Sequence, residues 1–228
     1  MPIGTAYGSL YKLPGSLIEQ RLAFVRLVVE AEPEIPPGTE YLYSNAGYAT
    51  LGAIAERVSG RSYEDLMQQY VFRPLRMRTA GYGEMAAIGE EDAPWQHEFG
   101  EGGVRPIEPG TRLELPDVVA PAGKVHVSMG DWSRFIQEHL AGARWDGRLL
   151  TAASYRRLQS SLFGGDYACG WRIRDRDWAN GVVFTHSVTN KMNYSVVWMA
   201  PARNFAVLVA TNIEYEGVDE SCDEIVWF

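Results

Sequence analysis

Tyr43 and Asn45 stand two residues apart in Pro36-Pro37-Gly38-Thr39-Glu40-Tyr41-Leu42-Tyr43-Ser44-Asn45, where a rigid Pro-Gly loop enters a helical pattern. A phenol can move a proton or fill a core, and a carboxamide can bind an amide or cap a helix. The local residues leave both alternatives open. The chain has a single Ser-x-x-Lys, Ser9-Leu10-Tyr11-Lys12, and Pro14 would break a helix carrying it. His186 follows directly on an apolar run, Val182–Thr185. Other chemistries find no support. There is no Gly-x-Ser-x-Gly, His-Glu-x-x-His or Cys-x-x-Cys. Gly81-Tyr82-Gly83 neither follows an apolar strand nor opens an amphipathic helix, which argues against a dinucleotide loop. His97, His126, His139 and His186 lack metal-ligand spacing, and Cys169 and Cys222 alone make neither a disulfide framework nor a zinc site.

The elements that must position these residues are legible from periodicity. Residues 17–31 read as a helix with Leu17, Leu22, Val25 and Val29 near one face, and Ser16 with Glu19 forms a capping box. Residues 45–58 read as a second helix, capped by Asn45, with Tyr48, Leu51, Ile54, Ala55 and Val58 as its apolar stripe and Gly60 as its stop. Ser62 opens a third, from Tyr63 to about Phe72. Residues 79–123 read as a long loop region with short strands around Arg112–Leu115. Helical pattern returns at 128–141, capped by Ser128, with Trp132, Phe135, Ile136 and Leu140 facing inward, and at about 151–161. The character then changes. Tyr167–Arg174, Val182–Thr185, Tyr194–Ala200 and Phe205–Thr211 are rich in Val, Phe, Tyr and Trp, with turns at Asn180-Gly181 and Pro201–Asn204, and a helix starts at Val218 and runs toward Phe228. Helices first and strands last predict an α+β fold, an antiparallel sheet packed with helices.

The 228 residues carry a net charge of −8, and hydrophobic residues are 46 % of the chain. The composition is that of a globular chain, and the acidic balance disfavours nucleic-acid partners. Acidic residues gather at 84–101 and 213–228 without a Lys or Arg and read as solvated loop and helix faces. No apolar run is long enough for a membrane span, and the first residues show no signal peptide, so the cytoplasm is the default compartment.

Several separated blocks, in order, resemble the serine β-lactamase family in the broad sense, which takes in class C β-lactamases, D-Ala-D-Ala carboxypeptidases and related esterases. Tyr43-Ser44-Asn45 matches its Tyr-x-Asn motif. Phe72-Arg73-Pro74-Leu75-Arg76-Met77 is similar to its Pro-Leu-Gly-Met segment, and Pro121-Ala122-Gly123-Lys124 to its Pro-Ala-Gly-Gly stretch. Thr185-His186-Ser187-Val188 stands where the third motif, Lys-Thr-Gly or His-x-Gly, opens a core strand, and Val207–Asn212 resembles the closing strand. The resemblance implies a β-lactamase/transpeptidase-like single domain over 1–228 and acyl-enzyme hydrolysis of an amide or ester such as a β-lactam, a D-Ala peptide or a small ester. It implies no metal or other cofactor and a small-molecule or peptide substrate. Tyr43 would shuttle the proton, Asn45 bind the amide, and His186 stand for the third-motif cation. Ser187, Val188 and Asn190 would bind substrate, and Tyr43 and His186 would share one cleft.

Three departures bear on activity. The family sets its Ser-x-x-Lys some eighty or more residues before the Tyr, whereas Ser9 and Lys12 fall close to Tyr43 and match that motif in pattern alone. Val188 replaces the third-motif Gly. The family's two N-terminal strands and nucleophile helix have no counterpart in these residues. The expectation is therefore a truncated fold, weak or inactive as this chain, whose exposed sheet edge favours self-association. The alternative is a non-catalytic binding or interaction protein that reuses the fold.

Overall fold

The computed structural model describes residue 10, residues 13–111 and residues 114–227. In chain order its elements are α1 (Leu17–Glu30), α2 (Asn45–Ser59), α3 (Tyr63–Met67), β1 (Gly81–Tyr82), β2 (His97–Gly100), β3 (Gly103–Pro106), α4 (Ala120–Gly123), β4 (Val125–His126) and α5 (Met129–Ala143). These are followed by α6 (Ala152–Leu158), β5 (Arg172–Arg176), β6 (Gly181–Thr189), β7 (Tyr194–Ala200), β8 (Phe205–Thr211) and α7 (Val218–Glu224). The helix-then-sheet order is the α+β arrangement expected. The chain forms two compact units, Met1–Gly83 with Leu113–Val127, and Glu84–Arg112 with Ser128–Phe228. Among the described residues no helix is long and apolar enough to cross a membrane.

The first unit is built round a buried cation. Arg21 of α1 has no solvent exposure; it pairs with the equally buried Glu56 of α2 and, at 2.8 Å, with Glu64 of α3. Its remaining donors reach the carbonyls of Val118 at 3.3 Å and Asp117 at 3.1 Å, and its guanidinium lies over the Tyr63 ring. Glu56 in turn accepts the Tyr63 backbone N–H at 2.9 Å. A charge taken out of water is tolerated only when its donors are met this fully. The cluster also decides which helix faces go inside. The buried side of α1 is Arg21 and Phe24, with Leu17 and Val28 against the core, while Leu22 and Val29 are exposed, contrary to the expected stripe. In α2 the reversal is larger. Ala46, Ala49, Gly52, Ala53 and Glu56 are buried, and Leu51, Ile54 and Val58 face outward, Val58 at 83 % exposure. The reason is close approach, since a Cβ on Gly52 would collide with Pro121 of α4. Helix caps follow the sequence at Ser16 and Ser62, but α2 is capped by Ser44, whose Oγ accepts the Gly47 N–H at 3.0 Å, not by Asn45. The third helix also ends early as an α-helix, because residues Gln68–Phe72 widen into a π-helical turn before Pro74.

The second unit is a four-stranded antiparallel sheet, order β5-β6-β7-β8, with helices on both faces. Alternation sorts the side chains. Val183, Tyr194, Val196, Trp198 and Ala200 lie on the face that packs on Val218, Cys222 and Val226. Phe184, Val197 and Met199 lie on the other, against Ile136 and Leu140 of α5 and Trp171, with Trp132 and Phe135 alongside as expected. Trp198 Nε1 donates to Asp223 at 2.9 Å and ties β7 to α7. Buried Glu138 of α5 accepts from the Tyr155 hydroxyl of α6 and from the Arg148 and Leu149 amides at 2.6 and 2.8 Å. The turn at Asn180-Gly181 forms where expected, with both residues at positive φ. Three strand assignments change. The strand expected over Tyr167–Arg174 is displaced toward the C-terminus, as β5 from Arg172 to Arg176, and Tyr167 makes only an isolated bridge to Arg172. The short strands expected around Arg112–Leu115 are instead the hairpin β2–β3, turned by Gly102 at φ 103°, and residues 112–113 lie outside the described set. β6 extends from Gly181 to Thr189, past the expected end at Thr185, because His186 to Thr189 pair with Val197 to Tyr194.

Two stability predictions follow from these buried groups. Arg21→Ala should lower unfolding free energy by about 3–5 kcal/mol in urea titration, since it leaves Glu56 buried without its partner. His139 is wedged among Phe135, Tyr155 and Trp171, with ring centroids 4.5–5.8 Å away, and burial pulls its pKa from 6.5 to about 4. The folded state therefore favours neutral His139, and its contribution is complete above the unfolded value and drains away as pH falls from about 6.5 toward 4. His139→Leu should flatten the pH dependence of the denaturation midpoint in that window.

Candidate active site

The Tyr-x-Asn segment is delivered by a braced loop. Thr39 Oγ1 donates to the Pro36 carbonyl at 2.7 Å and Gly38 sits at φ 80°, so the Pro-Gly turn is held before the chain enters α2. Ser44 is extended, at φ −152° and ψ 110°, as an N-cap should be. That extended residue turns Tyr43 out of the helix, leaving it 59 % exposed. Its hydroxyl donates to Asn45 Oδ1 at 2.9 Å. The two polar groups are therefore one hydrogen-bonded pair at the N-terminus of a 15-residue helix, with no acidic side chain in the first turn. Tyr43 is not a core aromatic and Asn45 is not consumed as a cap.

The third-motif segment lies in the other unit, on β6. β5 pairs with β6 only as far as Arg172 opposite Thr185. Beyond it, among the described residues, His186, Ser187, Val188 and Thr189 pair with β7 alone. A strand with one free side can accept an extended ligand backbone. His186 is on the α5 face and half-buried. Burial lowers its pKa below the usual value; a hydrogen bond to the Gly170 backbone opposes this, and the nearby Arg172 charge adds to it. A depressed pKa makes it neutral at neutral pH, so as a third-motif cation it differs from the expected role. Ser187 is exposed on the opposite face and hydrogen-bonds the Tyr194 phenol. Val188 is 44 % exposed opposite Ser195. Asn190 closes the β6–β7 turn, its Oδ1 accepting the Met192 and Asn193 amides at 3.0 and 2.8 Å. Ser9 and Lys12 lie outside the described residues.

Next to that turn lies an open cleft of about 630 Å³ that the sequence reading missed. It is lined by Glu98, Phe99, Lys191, Glu214, Tyr215 and Glu216. Phe99 and Tyr215 meet edge to face at 5.9 Å, and the Thr189 hydroxyl donates to Glu214 at 2.6 Å. The signal was present as two acidic runs, at 84–101 and 213–228, whose convergence only folding reveals. Among the described residues no group of His, Cys, Asp and Glu is placed to hold a metal ion.

With this geometry in view, comparison with known proteins is decisive. The β-lactamase family model matches residues 3–227. The chain belongs to the β-lactamase family. Penicillin-binding protein 4 of Amycolatopsis lactamdurans is 28 % identical over 203 residues, covering 83 % of this chain and 51 % of that protein. Protein flp of Staphylococcus aureus is 24 % identical, covering 88 % of this chain and 39 % of its own length. Among solved structures, a D-stereospecific amidohydrolase from Streptomyces superposes with a TM-score of 0.71 at 17 % identity, covering 98 % of this chain and 64 % of that one. The octameric penicillin-binding protein homologue from Pyrococcus abyssi gives 0.70 at 21 %, covering 92 % and 49 %. This β-lactamase-family chain thus has the fold of serine hydrolases and spans about half the length, or less, of these curated relatives. For it, a ¹H–¹³C titration of the His186 ring should give a midpoint below 6.5, the ordinary value, and a midpoint above it would show that the buried, Arg172-flanked environment does not control the ring.

Proposed function

We propose that this chain carries part of the machinery of acyl-enzyme hydrolysis, directed at an amide or ester carbonyl such as a β-lactam, a D-Ala peptide or a small ester, within one β-lactamase-like domain over 1–228. The observation that carries the proposal is the exposed Tyr43–Asn45 hydrogen bond at the mouth of α2. In this reading Tyr43 moves the proton between nucleophile and leaving group, Asn45 binds the substrate amide, and the open stretch of β6 from His186 to Thr189 receives its backbone. Ser187 and Asn190 flank that backbone and His186 acts as a neutral hydrogen-bonding partner. The names of the relatives, penicillin-binding, β-lactamase and D-stereospecific amidohydrolase, are consistent with an amide substrate. The 228-residue chain by itself is proposed to turn over weakly or not at all. Its single Ser-x-x-Lys, Ser9 to Lys12, precedes a proline, and unless Ser9 serves as nucleophile only binding and oxyanion stabilisation act on the carbonyl.

The second reading, a non-catalytic binding protein, is favoured by Val188. A β-branched side chain, 44 % exposed, stands where the third motif has Gly on the open stretch of β6, and there it would crowd a ligand backbone.

Intact-mass spectrometry after exposure to a penicillin and to a fluorophosphonate, beside a chromogenic cephalosporin and a p-nitrophenyl ester, separates these outcomes. The expected result is no stoichiometric adduct and turnover near background. A Ser9 adduct, lost in Ser9→Ala and formed about 100-fold more slowly in Tyr43→Phe, would establish an active enzyme using Ser9 and overturn the weak-activity proposal. Binding of a penicillin without turnover, tightened by Val188→Gly, would support the substrate strip. Binding unaffected by Tyr43→Phe, Asn45→Ala and Val188→Gly would remove all three from it.

A further inference from the structure

The turn that ends α5 holds a tryptophan in a place that suits glycine. Arg144 caps the helix, and Trp145 follows at φ 73°. The Trp145 N–H donates to the Gly142 carbonyl at 3.1 Å and the Asp146 N–H to the Ala141 carbonyl at 2.8 Å, the paired bonds of a Schellman turn. The left-handed residue of that turn is usually glycine, and a bulky side chain there is an outlier that asks for a reason. Core packing is not the reason, since Trp145 is 55 % exposed. The turn itself is braced. Buried Glu138 accepts the Arg148 and Leu149 amides and the Tyr155 hydroxyl, and Gly142 and Gly147 lie so close to the Tyr155 ring that neither has room for a Cβ. Trp145 is thus held outward by a rigid support.

Its surroundings are basic. The Arg156 guanidinium lies 4.2 Å from the Trp145 ring centroid, which sets the last turn of α6 beside the tryptophan. Arg157 is the next residue of α6, while Arg144 precedes Trp145 and Arg148 follows it in the braced turn. All four arginines are exposed, and among the described residues none of them forms an ion pair. Residues 139–165 hold these four and a single acid, Asp146, in a chain whose net charge is −8. Salt screens charges beyond about 10 Å in 0.1 M solution, so a partner touching this patch meets its local balance and not the total.

We propose that this patch docks the chain on an anionic phospholipid surface, with the Trp145 ring at headgroup depth and Arg144, Arg148, Arg156 and Arg157 against the phosphates. Charge complementarity gives the sign of the partner, and the tryptophan gives its kind. A soluble anion needs no exposed aromatic ring. An indole, apolar in its body with one N–H donor, settles at the boundary between headgroups and acyl chains. Clustered arginines drawn by the surface potential accompany such an anchor. One ring and four charges make a reversible contact that lies on the bilayer without crossing it. The braced turn has little freedom left to lose on docking. The inference does not depend on hydrolase activity.

Co-sedimentation of the full chain with phosphatidylcholine vesicles containing about 30 % phosphatidylglycerol should show binding in about 0.1 M salt, absent with phosphatidylcholine alone and lost in about 0.5 M salt. Arg156→Glu combined with Arg157→Glu should weaken binding about tenfold or more. Trp145→Gly separates docking from folding, because glycine suits the turn. It should weaken binding several-fold while the thermal melt stays unchanged or rises. The chain has seven tryptophans, so quenching by brominated lipid should be smaller in Trp145→Gly than in the unsubstituted chain. If Trp145→Gly lowers the melt, the arginine pair on the exposed side of α6 decides alone. No binding to the anionic vesicles overturns the proposal, and so does binding indifferent to these substitutions. Binding to soluble poly-glutamate as tight as to vesicles, or self-association abolished by the same variants, would assign the patch to an acidic protein partner and overturn the lipid assignment.

Discussion

Arg21 is the constraint on which the first unit depends. A guanidinium cannot be neutralised by losing its proton, so burying one obliges the fold to bring acceptors to every donor. Here the acceptors come from α2, α3 and the Asp117–Val118 turn, the last nearly a hundred residues away in the chain. Once they are gathered, the rotation of α1 and α2 about their own axes is no longer free. Small residues of α2 go inside, and the N-terminus of that helix is fixed where Ser44 caps it and Tyr43 reaches outward. The candidate proton shuttle is thus positioned by an ion cluster about three turns away along the same helix.

In the second unit the corresponding constraint is register. β6 is sandwiched over residues 181–185 and one-sided over 186–189, because β5 begins at Arg172. The turn before β5 also supplies the Gly170 hydrogen bond to His186. One short strand therefore does two things. It leaves a stretch of β6 open at the residues that match the third motif, and it surrounds the histidine there closely enough to disfavour its charged form.

Membership of the β-lactamase family sets the chemistry within which these features are read, and the details of this chain modify it. The Tyr–Asn pair is intact and exposed. Burial disfavours the charged form of His186, and Val188 stands two residues beyond it. An acidic and aromatic cleft sits beside the β6–β7 turn, joined to it through Thr189 and Glu214. These are local changes on a common frame, and such changes separate catalysts from binders that share a fold.

The sequence by itself determined the fold class, the order of elements, the capping serines at 16, 62 and 128, and the limits of β7 and β8, because periodicity, caps and β-branched runs are local properties. It also pointed to Tyr43, Asn45 and His186 through ordered motif blocks. What it misjudged were the faces of α1 and α2. Leu51, Ile54 and Val58 form a convincing apolar stripe, yet Arg21 and Glu56 claimed the interior, and a sequence does not show which charges will find each other across thirty-five residues. Asn45 lost the capping role for a local reason, since Ser44 Oγ accepts the Gly47 N–H. The end of β6, by contrast, is set at a distance, since its last four residues pair, among the described residues, with β7 alone. Tertiary structure decided the helix faces and the end of β6 because each turns on a pairing between distant residues, and the energy of a pairing is not a property of either segment alone.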